Sequence, residues 1–273
     1  MDPISRIPLA VNYSLETEAL LREGRIDLDL YKLPDWPDLV NQISPQFPCY
    51  IHFTLAAGLG NVHQSDWEMI ARLKAQTRTA CVNLHLVAPK NLDPGDAQQV
   101  EAVLRQAEAD VRLVGERVGM AQVILENVPI SRTDDYYLLP VVTPQAISRV
   151  VRATGCGLLL DLAHTRLVAG VLGLDEREYL AGLPVENLRE LHITGIGPHE
   201  GCLVDHMEMQ AADWALLDWV LQQIRAGLWA VPSVAALEYG GIGEPFHWRS
   251  QKSVLAEQVP QLYQRLRGET AGN

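Results

Sequence analysis

The chain has 273 residues, 48% hydrophobic and 21% charged, with 22 Lys plus Arg against 34 Asp plus Glu for a net charge of −12. Such a composition supplies a large core, and the acidic balance argues against a nucleic-acid partner, because sequence-independent binding needs basic side chains meeting phosphates. No apolar run approaches the ~18–20 residues that span a bilayer, and the N-terminal Met-Asp-Pro-Ile-Ser-Arg has no basic stretch followed by an apolar one, so a cytoplasmic protein with no membrane partner is expected.

Apolar runs bounded by turn residues predict strands at 7–13, 28–33, 49–55 and 81–87, then at 122–126, 157–161, 188–194 and 234–239. Segments of helical spacing lie between them. Ser14 opens 15–22, Asp35 opens 36–43 and Ser65 opens 66–75. The stretch 96–118 has turns enough for two neighbouring helices. Thr143 followed by Pro144 starts 145–154, since Pro costs nothing at a first helical position. Helices at 213–226 and 251–266 complete the set. This alternation, with no Ser/Gly-rich linker, predicts an α/β chain folded as a single (β/α)8 TIM barrel over 1–273. An open doubly wound sheet is the structural alternative, but Val11-Asn-Tyr-Ser14 after the first strand is no Gly-rich phosphate loop. The Gly-rich stretches 194–201 and 240–243 read either as anion cradles or as tight turns. Cys49, Cys81, Cys156 and Cys202 form no CxxC pair, so free thiols are expected, with Cys202 the most accessible.

In a barrel of this kind the C-terminal ends of the strands converge on one mouth. His52, His85, Glu126, Asp161, His192 and Glu238 stand at or near the ends of predicted strands three to eight. Imidazoles mixed with carboxylates suit Mn, Fe, Co or Zn rather than Ca. His164, three residues after Asp161, can face the same ion, and Asp205 and His206 lie in a long loop able to fold back over the mouth. Asn12, Lys32 and Asn127 are candidates for substrate binding. Four carboxylates in one cavity (Glu126, Asp161, Asp205, Glu238) repel by about 4 kcal/mol per pair at about 4 Å and an effective dielectric of about 20. Lys32, Lys90 and Arg166 are the nearby cations, and two or three divalent ions would remove the repulsion. A lone His or carboxylate at a strand end is more often a hydrogen-bonded core residue or an ion-pair partner. Six successive strand ends weigh against that explanation. His63, His199 and His247 read as loop surface, and Asp134 and Asp135 as a solvated turn.

The set Glu126, Asp161, His192 and Glu238 resembles the metal quartet of xylose-isomerase-like TIM barrels. With His52, His85, His164, Asp205 and His206 added, it resembles the multinuclear members of that superfamily. One is endonuclease IV, a three-zinc phosphodiesterase; the other is the multinuclear non-haem iron-dependent oxidative enzyme family that includes methanobactin-biosynthesis oxidases. Glu126-Asn127-Val128, Leu158-Leu-Leu-Asp161, Glu190-Leu-His-Ile-Thr-Gly195 and Val204-Asp-His206 followed by Trp214-Ala-Leu-Leu resemble the iron family, over about residues 47–240. The −12 charge and the adjacency of Asp205 and His206 disfavour the endonuclease. This chain departs from the iron family in having His164 where Asn is usual, and no residue between its late Asp and His.

The resemblance implies two or three metal ions, iron first and Zn or Mn as alternatives, and dioxygen-dependent oxidation of a small molecule or peptide, often at a cysteine. Glu126 would bridge ions. Asp161, His192 and Glu238 would hold one iron and His52 and His85 a second, with His164, Asp205 and His206 completing a further position. A divalent-metal sugar (phosphate) isomerase or epimerase is the alternative, with Glu126 and Glu238 as ligands and proton-transfer groups. A metal-binding barrel without catalysis is a further one. Oligomeric state depends on surface packing that the sequence does not display.

Overall fold

The computed structural model describes residues 6–243, 246 and 249–268; His247 lies outside them. The strands are β1 (Leu9–Asn12), β2 (Leu30–Pro34), β3 (Cys49–His52), β4 (Leu55–Ala57), β5 (Val82–Leu86), β6 (Val123–Glu126), β7 (Gly157–Asp161) and β8 (Leu188–Ile193). A hairpin of β9 (Gly195–His199) and β10 (Cys202–Met207) follows, then β11 (Val234–Leu237). The main sheet runs β3-β2-β1-β11-β8-β7-β6-β5-β4 with every pair parallel. Its two terminal strands, β3 and β4, are separated in the chain only by Phe53 and Thr54. They are two halves of the third barrel strand, and through them the sheet closes on itself as the TIM-barrel fold expected.

Strands in such a sheet are covered on both faces and read as continuous apolar runs. Val-Ile-Leu-Glu of β6 and Gly-Leu-Leu-Leu-Asp of β7 are buried at every residue. The break in the third strand is repaired by a side chain. The Asn83 amide accepts from Phe53 N at 2.8 Å and donates to Phe53 O at 2.9 Å, replacing a missing pair of ladder bonds.

The helices are α1 (Leu15–Arg22), α2 (Pro37–Ile43), α3 (Trp67–Gln76), α4 (Ala97–Val118), α5 (Pro144–Thr154), α6 (Leu162–Leu172), α7 (Glu176–Ala181), α8 (Ala211–Arg225) and α9 (Lys252–Leu266). Ser14 caps α1 and Thr143 caps α5, each side chain accepting from the backbone three residues on. Other starts differ from expectation. α3 is capped by Asp66 rather than Ser65. Trp36 precedes α2 because Pro37 takes the first helical position, leaving the Asp35 carboxylate to accept from Thr54 instead. The 96–118 stretch is one helix, not two. α6, α7 and the β9–β10 hairpin were not anticipated. The hairpin replaces an expected Gly-rich loop, and Gly195 is required there: a Cβ would fall 2.0 Å from Glu208 O. All four cysteines are free, Cys49 and Cys156 buried, Cys81 and Cys202 partly exposed. Among the described residues no helix is long and apolar enough to cross a membrane.

Candidate metal centre

Strand register sets His85 beside Glu126 and Asp161 beside His192 at the C-terminal end of the barrel. There a cavity of about 420 Å³ is lined by His52, His85, Glu126, His164, Asp205, His206 and Glu238, over a floor where Asp161 and His192 are fully buried. Glu126 is the pivot. Its Oε2 lies 3.1 Å from His85 Nε2 and 3.5 Å from His52 Nε2, and those two nitrogens are 3.1 Å apart. Its Oε1 lies 3.7 Å from His164 Nδ1 and 3.8 Å from His192 Nδ1. His192 Nδ1 is also 3.1 Å from Glu238 Oε1 and 4.0 Å from Asp161 Oδ2. On the far side His164 Nε2 meets Asp205 Oδ2 at 2.9 Å and Asp161 Oδ2 at 3.9 Å, and His206 Nε2 is 3.7 Å from Asp205 Oδ2. The structure therefore brings every expected ligand to one place.

Local folding explains the aim of several side chains. Asp161 ends β7 and caps α6, accepting from His164 N at 2.8 Å, which fixes His164 one turn above it. The Nδ1 atoms of His85, His164 and His206 each meet a main-chain carbonyl (Leu55, Asn127 and Glu238, at 3.1, 2.7 and 2.6 Å), leaving Nε2 for the cavity. His206 adopts φ 56°, a left-handed conformation uncommon for a side-chain-bearing residue, to reach the site from β10.

The donor set fits metal ions. Glu126 Oε2, Asp161 Oδ2 and His192 Nδ1 are buried without a hydrogen-bond partner, each an arrangement that costs about 1–3 kcal/mol unless something else satisfies it. His52, His85 and Glu126 form one group with ligand atoms within 4.8 Å of one another, and Glu126, Asp161 and His192 form another. Imidazole nitrogens with carboxylate oxygens are the chemistry of first-row transition metals.

Burial and neighbouring charges compete at each titratable group. Burial raises the Glu126 pKa, but the His85, His52 and His192 imidazoles overcome this and hold it well below the carboxylate range. Burial lowers that of His164, yet Asp161, Asp205 and Glu126 drive it up to about 10. Asp205 is held below its usual value, with His206, His164 and Arg249 outweighing burial. Lys32 is lowered to about 8 by burial, which outweighs the pull of Glu126, Glu190 and Asp161, and its ammonium pairs with Glu238 Oε1.

Not every expectation matches the geometry. Lys90 is exposed and lines no part of the cavity, while Arg166 is occupied by Glu176 and Asp213; of the three expected cations only Lys32 faces the carboxylates. Asn12 lines the cavity and donates to Gly240 O at 3.1 Å. Asn127, expected to bind substrate, is fully buried and spends its amide on β7, accepting from Asp161 N at 2.8 Å and donating to Asp161 O at 3.0 Å. It is a strand repair like Asn83. His63 is exposed as expected, and Asp134 and Asp135 lie in a short 3-10 turn, Thr133–Leu138. Three contributors were missed. Glu190 and Tyr50 lie beneath His192, and Arg249 donates to Asp205 O at 2.9 Å. Strand alternation places Glu190 and His192, two apart, on one face, a usable signal; nothing marks Arg249.

A family model described as RiPP precursor modification enzyme MbnB/TglH/ChrH matches residues 34–231, a span holding all the expected ligands except Glu238. A UPF0276 protein of Caulobacter sp. (strain K31) is 36% identical over 80 residues, 28% of this chain and 29% of that protein. One from Rhizorhabdus wittichii is 22% identical over 195 residues, 68% of this chain and 69% of that protein. The chain thus spans less than a third of the first relative in its match and about two thirds of the second. Among solved structures, a D-tagatose 3-epimerase-like protein superposes with a TM-score of 0.61 at 12% identity, covering 96% of this chain and 98% of that one. A xylose isomerase domain protein from Alicyclobacillus acidocaldarius does so at 0.52 and 18%, covering 96% and 99%. At such identities the likeness concerns the fold, the xylose-isomerase-like barrel expected from the sequence. With most of its length matched, the chain belongs to the MbnB/TglH/ChrH family of RiPP precursor modification enzymes.

Proposed function

We propose that the chain is a multinuclear non-haem iron oxidase that modifies a peptide, with His52, His85, Glu126, Asp161, His164, His192, Asp205, His206 and Glu238 as ligands. The observation that carries this reading is the position of Glu126. One of its oxygens faces Nε2 of His52 and of His85, and the other faces Nδ1 of His192. With different nitrogen donors beside each of its oxygens, Glu126 would contribute to holding more than one ion. The mixed donor set suits iron, zinc and manganese alike; the resemblance of the ligand motifs to the iron-dependent oxidative family favours iron. Iron bound there would supply the electrons and open positions with which dioxygen oxidises a substrate.

The chain's own residues bind and orient. A cavity of about 420 Å³ takes a side chain with its flanking backbone rather than a folded protein. Tyr13, Pro34, Trp36, Ile242 and Phe246 give it an apolar wall, and Asn12 and Lys32 are polar groups able to hold a peptide carbonyl. Lys32 keeps a proton at Glu238 Oε1. A peptide is the substrate class because the family modifies RiPP precursors, which are ribosomally made peptides. Dioxygen consumption by anaerobically iron-loaded protein, dependent on a cysteine-containing peptide, is the expected result. Full activity in a colourless, zinc-only sample would sink the proposal.

A second reading is a one-ion sugar isomerase or epimerase. The tight arrangement of Glu126, Asp161 and Glu238 around His192 favours it, with the two glutamates moving protons beside a hydroxy-carbonyl group. It predicts one ion per chain and solvent-hydrogen exchange into a ketose. It also leaves His52, His85, His164, Asp205 and His206 without work. The zinc phosphodiesterase reading conflicts with the −12 charge. A barrel that binds no metal gives no reason for three unpartnered buried ligand atoms.

A further inference from the structure

Glu190 belongs to none of the expected ligands, yet it is a buried carboxylate on β8, two residues before His192 and on the same face of the strand. Its Oε1 lies 2.9 Å from the Tyr50 hydroxyl on β3 and 2.8 Å from His192 Nε2. The hydroxyl donates to this oxygen, and so must the imidazole, because a carboxylate offers only lone pairs. His192 Nε2 therefore carries the ring proton and Nδ1 keeps its lone pair. Nδ1 is the atom aimed at Glu126 Oε1, Asp161 Oδ2 and Glu238 Oε1, and it is buried without a hydrogen-bond partner.

His192 is thus opposite to its neighbours. His85, His164 and His206 anchor Nδ1 on main-chain carbonyls and offer Nε2. His192 offers Nδ1, so it needs an anchor on the other side of the ring, inside the barrel, where the backbone acceptors are already consumed by the parallel ladder. A side-chain acceptor has to reach in.

We infer that Glu190, steadied by Tyr50, is a positioning residue that selects the Nε2–H form of His192 and so presents Nδ1 to the metal centre. Glu190, His52 and His192 also lie close enough together to hold an ion of their own. Against that assignment, the Glu190 oxygen already accepts two hydrogen bonds, and a ligand at His192 Nε2 would displace one of them. The inference rests on the metal reading of the site.

The test uses the full chain, isotope-labelled at histidine nitrogen and stripped of metal, with long-range proton–nitrogen spectra reporting the His192 tautomer. Wild type and Glu190→Gln, whose amide oxygen still accepts, are expected to show Nε2–H alone. Glu190→Leu is expected to lose that single form and to bind Zn(II), titrated against a chelator, roughly 10–100-fold more weakly, with Glu190→Gln close to wild type. A folded Glu190→Leu protein with an unchanged tautomer and unchanged Zn(II) affinity overturns the inference. So does an Nδ1–H form of His192 in the wild type, whether or not the leucine variant folds. A wild type with the Nε2–H form that binds no metal defeats the reading of the site instead, so the two failures are distinguishable.

Discussion

Replacing Asn127 by alanine probes how the barrel mouth holds its ligands. The Asn127 amide makes two hydrogen bonds to the Asp161 backbone, at 2.8 and 3.0 Å, in a position with no solvent exposure. Truncation leaves one buried N–H and one buried carbonyl unsatisfied, at about 1–3 kcal/mol each, so the loss is about 2–6 kcal/mol, nearer the lower figure if a water enters the space. Against a usual total of about 5–15 kcal/mol that is a large fraction, equivalent to a fall of roughly 4–10 °C in Tm. The damage should spread to the centre, because Asp161 also caps α6 and fixes His164. Urea unfolding of the metal-stripped variant, followed by circular dichroism, measures the first effect, and chelator competition measures the second. A change within about 0.5 kcal/mol, accompanied only by a higher KM, would refute the ladder argument and return Asn127 to substrate binding.

Two further outcomes follow from the geometry. His164 is raised from 6.5 to about 10, so its contribution to stability is complete below pH 6.5 and fades as pH climbs to about 10. Its partner Asp205 is lowered from 3.8, so that contribution is complete above 3.8 and fades at lower pH. The unfolding free energies of metal-stripped wild type and His164→Asn should therefore differ most between those limits, about pH 4–6.5, and approach each other toward pH 10. A gap that stays constant across this range contradicts the ion pair. His206→Gly relieves a positive φ worth about 1 kcal/mol while removing an imidazole that bonds Glu238 O. Stability should stay within about 1 kcal/mol of wild type while metal content falls; unchanged metal content would remove His206 from the ligand set.

Most of the barrel was legible because buried parallel strands advertise themselves: β6 and β7 are unbroken apolar runs ending in a carboxylate. The ligands were legible for the same reason, since a charged or imidazole side chain at the end of such a run needs a partner. The division of the third strand was not. Residues 49–55 read as one strand, and the break at Phe53 is invisible until Asn83, from the next strand, is seen replacing the ladder bonds. Asn127 was misread for a related cause: an Asn beside a ligand looks like a substrate contact, and its use as a backbone substitute depends on a neighbour 34 residues away. The β9–β10 hairpin hid behind its glycines, of which Gly195 and Gly197 pack closely against Glu208 and Met207 and Gly201 serves the turn. Arg166 looked available beside Asp161, but one helical turn carries it round to Glu176 and Asp213.

The central claim is that Glu126 joins two ions in one cavity, and metal analysis of anaerobically purified protein tests it most directly. The account predicts two or three ions per chain, chiefly iron, and a loss of more than one ion in a folded Glu126→Gln variant. A single fully occupied ion in the wild type, or the loss of none in the variant, would contradict it.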